Sequence, residues 1–413
     1  MPKNPRDLSA DDLHLAFTLA CRAQTEGHLE EAREQYLRLL HYLPEASILH
    51  YNIGLVYYTL QDFSQALHEF SLALACGPED ADTLFNLALC QKKTGDCQAA
   101  IATYQQVLGT TPDHTDCLYN LAGCHQYLHD DDQAITCYHR VLAVDAKYLP
   151  AANNLAYLYH RAGNVAQAVV YYNQVLVLRP EDDSARYMLA SLMGTPLDHA
   201  PESYIRSFFN TYAEGFEQSL VAELGYDTPR KLYACFQKCP GHKTSYDHGL
   251  DLGCGTGLSG VPFIEAVTTL DGVDLSRNML SQAARKGCYT SLYPDSILHH
   301  LQATVDTYDF FIATDVFIYV GDLQELFTAT HAIARPAALF CFSTENLKTG
   351  DYQLRQTGRF AYSRAYVHKI ATSTGWSMLA LEKTRLRKER DSWIAGDLWI
   401  FQLDTPSDHL HVQ

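Results

Sequence analysis

The segment LDLGCGTG, residues 250–257, has the composition of a ligand-binding turn. It follows a strand-like run at 248–252 and precedes a stretch at 257–267 that is predicted to be helical. The three glycines lack Cβ atoms, so a nucleotide-like ligand can lie against the backbone at the start of the helix. On its own this pattern is weak evidence, and it is equally compatible with a nicotinamide dinucleotide.

A carboxylate at the end of the next predicted strand makes a ribose the better fit. Asp274 lies seventeen residues after Gly257, where its two oxygens can accept both hydroxyls of a ribose. Leu275 and Met279 follow it into the next predicted helix, 277–287. The alternative is that the carboxylates at 251 and 274 only cap turns, and the joint occurrence of the two motifs disfavours it.

Alternating strands and helices are predicted to position these residues. Aromatic-rich helical sequence fills 203–238, and strand-like and helix-like runs alternate beyond it. This order is typical of a doubly wound α/β domain with a mostly parallel sheet, whose ligands bind at the carboxyl ends of the strands. The predicted strands are 248–252, 270–275, 308–314, 339–343 and 397–403, and the predicted helices are 257–267, 277–287, 322–334 and 359–373.

Residues 203–404 resemble the class I S-adenosylmethionine-dependent methyltransferases, because LDLGCGTG and the later GVDLS-x-x-ML match the first two motifs of that family. The resemblance implies a Rossmann-like domain with a mixed seven-stranded sheet and S-adenosyl-L-methionine as the cofactor. It implies that the methionine part is held by Asp251 and the turn of Gly253, Cys254, Gly255 and Gly257, the ribose by Asp274, and the adenine by Leu275, Met279, Asp295 and Ser296, with Asp315 beside the sulfonium.

Candidates for the catalytic region are Asp315, Tyr319, Glu345, Arg359 and Tyr362. Arg359 is predicted to clamp an anionic acceptor, since a guanidinium suits carboxylate or phosphate, although capping or a surface ion pair explains it equally well. Tyr362 stands where the family has a histidine, which puts a histidine base in doubt. Solvated or capping carboxylates are the alternative for Asp315, Glu345 and Asp295. An amide or exocyclic base nitrogen is disfavoured as acceptor, because no Asn-Pro-Pro-aromatic tetrad follows 308–314.

An internal repeat of 34 residues organises the first half of the chain. It runs through five gapless registers, 13–46, 47–80, 81–114, 115–148 and 149–182, with half a sixth extending to 194. The eighth position is small and the twentieth is always alanine, which lets two helices approach closely, and an aromatic ring follows four residues later. The pattern resembles the tetratricopeptide repeat and predicts an α-solenoid domain over 13–194 that ends in a capping helix.

The concave groove of such a solenoid usually binds a protein or peptide. Two interpretations of the groove positions stay open: an asparagine ladder that binds a peptide backbone, or asparagines and rings that pack within the solenoid. The family's basic carboxylate clamp is missing, because the second position carries His14, Ile48, Asp82, Asp116 and Pro150. The groove positions carry Phe17, Tyr51, Phe85 and Tyr119 at the fifth place and Asn52, Asn86, Asn120 and Asn154 at the sixth.

Composition limits the function classes. The chain of 413 residues is 47% hydrophobic and has a formal net charge of −17, and it has no apolar run long enough to span a membrane. An acidic chain without a basic stripe is a poor partner for nucleic acid or an anionic membrane. The basic run at 383–390 is predicted to be a solvated strand end. Twelve scattered cysteines without zinc spacing predict buried thiols and no metal, and an amino terminus without an apolar h-region predicts a cytoplasmic protein.

These features predict an enzyme that methylates a protein, or a group carried by a protein, which the repeats dock. Two alternatives stay open: a small-molecule O- or N-methyltransferase whose repeats serve assembly, and a scaffold whose α/β domain only senses the cofactor.

Overall fold

The computed structural model describes residues 9–213, 215–240, 243, 245–389 and 392–405. The described chain divides into two compact units, one ending at Leu178 and the other beginning at Arg179. The first residues of the amino terminus and Arg390 of the basic run lie outside the described residues.

Successive helices of the first unit pack in pairs, with one pair for each 34-residue register. The alanine at the twentieth position is fully buried in every pair, and the ring four residues later is at most 5% exposed. The helical repeat is therefore confirmed. The described helices are α1 Ala10–Thr25, α2 Leu29–Tyr42, α3 Ser47–Thr59, α4 Phe63–Cys76, α5 Ala81–Lys93, α6 Cys97–Thr110, α7 Thr115–Tyr127, α8 Asp131–Val144, α9 Leu149–Arg161 and α10 Val165–Leu178.

Groove side chains of the repeats bond to one another. The fifth-position ring of each of the first four registers packs on the buried ring of its own pair, with ring centroids 5.7–6.0 Å apart. The Asn86 amide donates to Asp82 O of its own helix at 2.9 Å and to Tyr51 Oη of the preceding repeat at 3.4 Å. Asn154 donates to Tyr119 Oη at 3.4 Å. These contacts favour packing within the solenoid as the role of the asparagines.

The second unit alternates helices with strands. Its described helices are α11 Asp183–Met193, α12 Glu202–Tyr212, α13 Thr228–Lys238, α14 Gly260–Phe263, α15 Arg277–Ala284, α16 Ile297–Ala303, α17 Gln324–Ile333 and α18 Arg364–Ser373, with a π-helical segment Gln218–Glu223 and a 3-10 turn Phe317–Tyr319. Its described strands are β1 Tyr246–Leu252, β2 Val267–Val273, β3 Ser291–Tyr293, β4 Tyr308–Ala313, β5 Ala334–Glu345, β6 Tyr352–Leu354, β7 Phe360–Tyr362, β8 Trp376–Glu389 and β9 Ser392–Leu403.

The strands of the second unit form, among the described residues, a seven-stranded sheet in the order β3-β2-β1-β4-β5-β9-β8 and a small β6-β7 hairpin. The pairs from β3 to β5 are parallel, whereas β9 runs antiparallel to β5 and β8. Every residue of β4 is buried, as expected for a parallel strand covered on both faces. The mixed Rossmann-like sheet is confirmed, and its order reverses between β1 and β4.

Some predicted elements differ from the structure. The helix predicted over 257–267 shrinks to the four residues of α14, because the turn runs on to Ser259 and β2 already begins at Val267. The segment 359–373 starts with strand β7 before α18. Residues 383–389 of the basic run do lie on strand β8, but Arg387 is only 3% exposed, so a solvated strand end is wrong for that residue.

The unit boundary lies before α11 rather than after it. Tyr187 on this helix is 1% exposed within the core of the second unit, and its Oη donates to Gly358 O at 2.9 Å. The half repeat that ends at 194 thus packs with the α/β unit.

A fragment that begins at residue 179 is expected to fold cooperatively, and one that begins near residue 200 to be less stable by about 1.5–3 kcal/mol, because it lacks the buried Tyr187. Urea denaturation followed by tryptophan fluorescence checks this, since all three tryptophans lie at 376, 393 and 399. Equal midpoints for the two fragments would place the boundary at 200.

Candidate functional site

A cavity of about 700 Å³ opens in the second unit where β1, β2 and β4 end. Its walls come from the glycine-rich turn after β1, the end of β2, the start of α16, the loop after β4 and the aromatic segment around α12. The cavity lies beside the reversal of strand order, which is where open α/β sheets bind ligands.

The glycine-rich turn is anchored to β2, because Gly253 N and Cys254 N both donate to Val273 O, at 2.8 and 3.0 Å. Gly255 has φ +53°, and a Cβ built on it meets no heavy atom of the described chain within 4 Å. The missing side chain at Gly255 therefore leaves open cavity above the turn. Thr256 also lines the cavity, and its buried Oγ1 has no hydrogen-bond partner among the described residues.

Asp274 connects the turn to the end of β2. Its Oδ1 accepts from Ser276 N at 2.8 Å, and its Oδ2 accepts from Gly255 N at 3.0 Å. Burial raises the pKa of Asp274 to about 6, and the two backbone donors oppose that rise. This carboxylate faces the cavity and retains capacity to accept further hydrogen bonds.

Asp251 lies behind the turn and is fully buried. Its Oδ2 accepts from Ser259 Oγ at 2.6 Å and from Tyr289 Oη at 2.7 Å. Burial raises the pKa of Asp251 to about 7. Its Oδ1 has no hydrogen-bond partner in the described part of the chain. The contacts to Ser259 and Tyr289 show that this carboxylate braces the turn.

Asp315 follows β4 in a left-handed conformation, with φ +58°. A non-glycine residue held there carries backbone strain, a feature that clusters at functional sites. Asp315 N donates to Ser343 Oγ at 3.0 Å, and one carboxylate oxygen forms an ion pair with Arg387. Arg387 Nη2 also donates to Glu345 Oε1 at 2.8 Å. The other Asp315 oxygen, Oδ1, is buried without a partner among the residues described.

Aromatic rings cover the side of the cavity that is formed by α12 and the loop after β4. Phe209 packs edge-on against Phe216 and Tyr319, with ring centroids 5.7 and 5.6 Å apart. Tyr226 lines the same cavity, and burial raises the pKa of its hydroxyl well above the ordinary value. The segment is fixed to α15 as well, because Ser276 Oγ donates to Asn210 Oδ1 at 2.7 Å.

The structure brings most of the predicted site residues together. Those that line the cavity are Gly253, Cys254, Gly255, Asp274, Leu275, Met279, Ser296, Asp315 and Tyr319. Six others do not line it: Asp251, Gly257, Asp295, Glu345, Arg359 and Tyr362.

Besides Asp251 and Glu345, whose partners are given above, three of these six residues have partners outside the cavity that account for them. Asp295 pairs with His299 Nδ1 at 2.6 Å, and Arg359 pairs with Glu389 Oε1 at 2.8 Å. Tyr362 is 1% exposed and its Oη donates to Phe317 O at 2.7 Å. The surface ion pair considered for Arg359 is therefore present.

Arg387 and Tyr226 were not predicted as site residues. Arg387 lies 72 positions from Asp315 and within a basic run, so no local pattern sets it apart. The rings of 203–238 were visible as an aromatic-rich segment, but their place over the cavity depends on tertiary packing.

Comparisons with known proteins match both halves of the chain. A family model described as a methyltransferase domain matches residues 250–340. Tetratricopeptide-repeat models match residues 17–81, 91–156 and 149–182. The search of curated proteins found no match. Among the described residues, no helix is long and apolar enough to cross a membrane.

Solved structures of both kinds are similar to parts of the chain. YrrB, a TPR protein with an unusual peptide-binding site, is 20% identical, with 42% of this chain and 89% of that chain covered and a TM-score of 0.39. Magnesium protoporphyrin IX methyltransferase from Synechocystis PCC 6803, solved with bound SAH, is 16% identical, with 49% and 99% covered and a TM-score of 0.39. An S-adenosylmethionine-dependent methyltransferase from Clostridium acetobutylicum is 18% identical, with 48% and 99% covered and a TM-score of 0.36. This chain thus carries tetratricopeptide repeats followed by a methyltransferase domain.

Proposed function

We propose that the protein is an S-adenosylmethionine-dependent methyltransferase that acts on a protein, or on a group carried by a protein, recruited by the repeats. The observation that carries the cofactor assignment is the cavity above Gly255, with Asp274 on its wall. The residues present fit this cofactor. Gly255 leaves room for a ligand against the turn, and Thr256 Oγ1, which has no partner within the described chain, offers it a polar contact.

Asp274 would accept the ribose hydroxyls, and the turn from Gly253 to Gly255 would hold the methionine part. Leu275, Met279 and Ile297 offer apolar contact to the adenine. When bound, the cofactor supplies a methyl group on a positively charged sulfur. Methyl transfer is an in-line displacement, so the main task of the protein is to position the acceptor and exclude water. The rings of Phe209 and Tyr319, which line the cavity together with Asp315, would help to exclude water from the acceptor.

Isothermal calorimetry with S-adenosylmethionine, S-adenosylhomocysteine and NAD tests the cofactor. If the first two bind and NAD does not, the proposal is supported, and tight binding of NAD alone would refute it.

Transfer of a radioactive methyl group from S-adenosylmethionine into cell lysate then tests the acceptor. Label in the protein fraction supports a protein-borne acceptor, and label only in small molecules contradicts it.

The affinity for S-adenosylhomocysteine is expected to fall about tenfold between pH 7 and pH 5. Burial raises the pKa of Asp274 to about 6, and only its ionised form accepts two hydroxyl donors. The acid must therefore lose its proton before it binds the ribose, so affinity is present above pH 6 and lost below it. Calorimetry across this range measures the effect. Asp274→Asn should bind more weakly and show a shallower profile, because Asp251 behind the turn, whose pKa burial raises to about 7, still titrates in this range. An unchanged slope would assign the titration to another group.

Substitutions in the groove test whether the repeats recruit the protein acceptor. Asn86→Arg combined with Asn120→Arg is expected to slow transfer to the protein acceptor at least tenfold, because two bulky cations enter the surface where it would dock. The affinity for S-adenosylhomocysteine should not change, since both sites lie outside the second unit.

Asn173→Arg is the matched control for the groove variants. Like Asn86, Asn173 donates to the carbonyl four residues earlier, at 2.8 Å, but it lies on the second helix of its pair. Circular dichroism checks that all variants are folded. Full activity of a folded double variant would eliminate recruitment through these two positions.

A further inference from the structure

One part of the cavity, here called the compartment, is lined by residues outside the glycine-rich turn and Asp274. Its walls are the edge-to-face rings of Phe209, Phe216 and Tyr319, together with Leu220, and its polar end is Asp315. Asp315 and Tyr319 belong to the same loop after β4, which places the aromatic wall and the carboxylate on one side of the cavity.

The two oxygens of the Asp315 carboxylate differ in their contacts. Its Oδ2 is engaged by Arg387, whereas its Oδ1 is buried without a hydrogen-bond partner among the described residues. Buried acceptors without partners are rare, because the loss of water is not compensated. A ligand that donates an O–H or N–H to Oδ1 would remove this cost.

The charged side chains that line the cavity are acidic, which disfavours an anion. Within the described part of the chain, no lysine or arginine lines the cavity, whereas Asp198, Glu202 and Glu325 do, in addition to Asp315. The guanidinium of Arg387 is already shared between Asp315 and Glu345, and that of Arg359 is paired with Glu389. A carboxylate or phosphate in the compartment would therefore be desolvated without a cationic partner.

We propose that the compartment binds the acceptor group as an uncharged hydrogen-bond donor on an apolar body, with its O–H or N–H directed to Asp315 Oδ1 and the body against Phe209, Phe216 and Tyr319. This inference rests on the proposed function and narrows its substrate class. It also takes the place of the hypothesis that Arg359 clamps an anionic acceptor. A clamp of that kind needs positive charge, whereas the charged side chains that line the cavity are negative.

Three probes with the same phenylpropyl body test the proposal: 3-phenylpropan-1-ol, its methyl ether and 3-phenylpropanoate. Each is titrated by calorimetry into the full chain saturated with S-adenosylhomocysteine. The alcohol is expected to bind at least tenfold more tightly than the ether, which lacks the donor, and than the carboxylate, which carries the wrong charge. A carboxylate or ether that binds as well as the alcohol, or an alcohol that does not bind, would overturn the proposal.

Two variants test whether Asp315 and Phe209 determine the affinities for the probes. Asp315→Asn is expected to reduce the preference for the alcohol over the carboxylate to less than about threefold, because its amide can donate to an anion. Phe209→Ala should weaken the alcohol and the ether equally. If Asp315→Asn does not fold, the affinities of the three probes for the unsubstituted protein still test the proposal. If the protein does not bind S-adenosylhomocysteine, the proposed function is contradicted. If the saturated protein binds the three probes in the reverse order of affinity, only this inference is contradicted.

Discussion

Replacing Arg387 by methionine is expected to lower the free energy of unfolding of the second unit by about 3–5 kcal/mol, the usual cost of removing one partner from a buried ion pair. The guanidinium is 3% exposed and contacts two carboxylates, Asp315 and Glu345. Without it, Asp315 loses the ion pair with Arg387, and Glu345, which is 1% exposed, retains its ion pair with Arg355, at 3.1 Å. Urea denaturation followed by tryptophan fluorescence measures the loss in this unit alone, since every tryptophan lies beyond residue 375.

Arg359→Met is the matched control for the Arg387 variant. It removes the same charge from one ion pair, but its partner Glu389 has a side chain that is 37% exposed. Pairs of this kind contribute about 0–1 kcal/mol. Adding Asp315→Asn and Glu345→Gln to Arg387→Met should restore part of the stability, because no unpaired charge then stays buried. An Arg387 variant as stable as the Arg359 variant would show that the buried network does not support the fold.

The ion pair between Arg387 and Asp315 also shows where sequence analysis reaches its limit. The glycine-rich turn and Asp274 could be predicted, because the residues that form a nucleotide site after a parallel strand are close together in sequence. Arg387 is placed by the pairing of β8 with β9, its neighbour in sequence, and by the pairing of β9 with β5, which lies far away in sequence. The local sequence of a polar run does not show that one of its basic residues will be buried in this way.

Helix α11 shows the same limit at the level of domains. Period and composition predicted the repeat well, since the alanine and the ring recur in every register. The same period continues into α11 and suggests a capping helix up to residue 194. Tyr187 instead reaches Gly358, 171 positions away, so a tertiary contact decides which unit holds the helix. The groove asparagines were equally undecided in sequence, because their partners Tyr51 and Tyr119 belong to the preceding repeat.

Gly255→Leu is expected to weaken binding of S-adenosylhomocysteine roughly a hundredfold, which corresponds to ~2.7 kcal/mol. No atom of the described chain lies within 4 Å of a Cβ at Gly255, so a side chain there would occupy cavity rather than displace protein. Any ligand that lies against the turn must compete with it. The variant should therefore stay folded and lose the cofactor, as calorimetry and thermal unfolding together can show.

Gly287→Leu separates this steric effect from backbone strain. Gly287 also has a left-handed backbone, φ +67° against +53° at Gly255, and it also has open space at its Cβ, but it does not line the cavity. Both leucines carry a similar conformational cost of about 1–2 kcal/mol, because left-handed backbone crowds a Cβ. If strain alone mattered, the two variants would lose equal affinity. If the cofactor lies over Gly255, only the Gly255→Leu variant should lose affinity for S-adenosylhomocysteine. If both variants bind it equally tightly, the cofactor lies elsewhere.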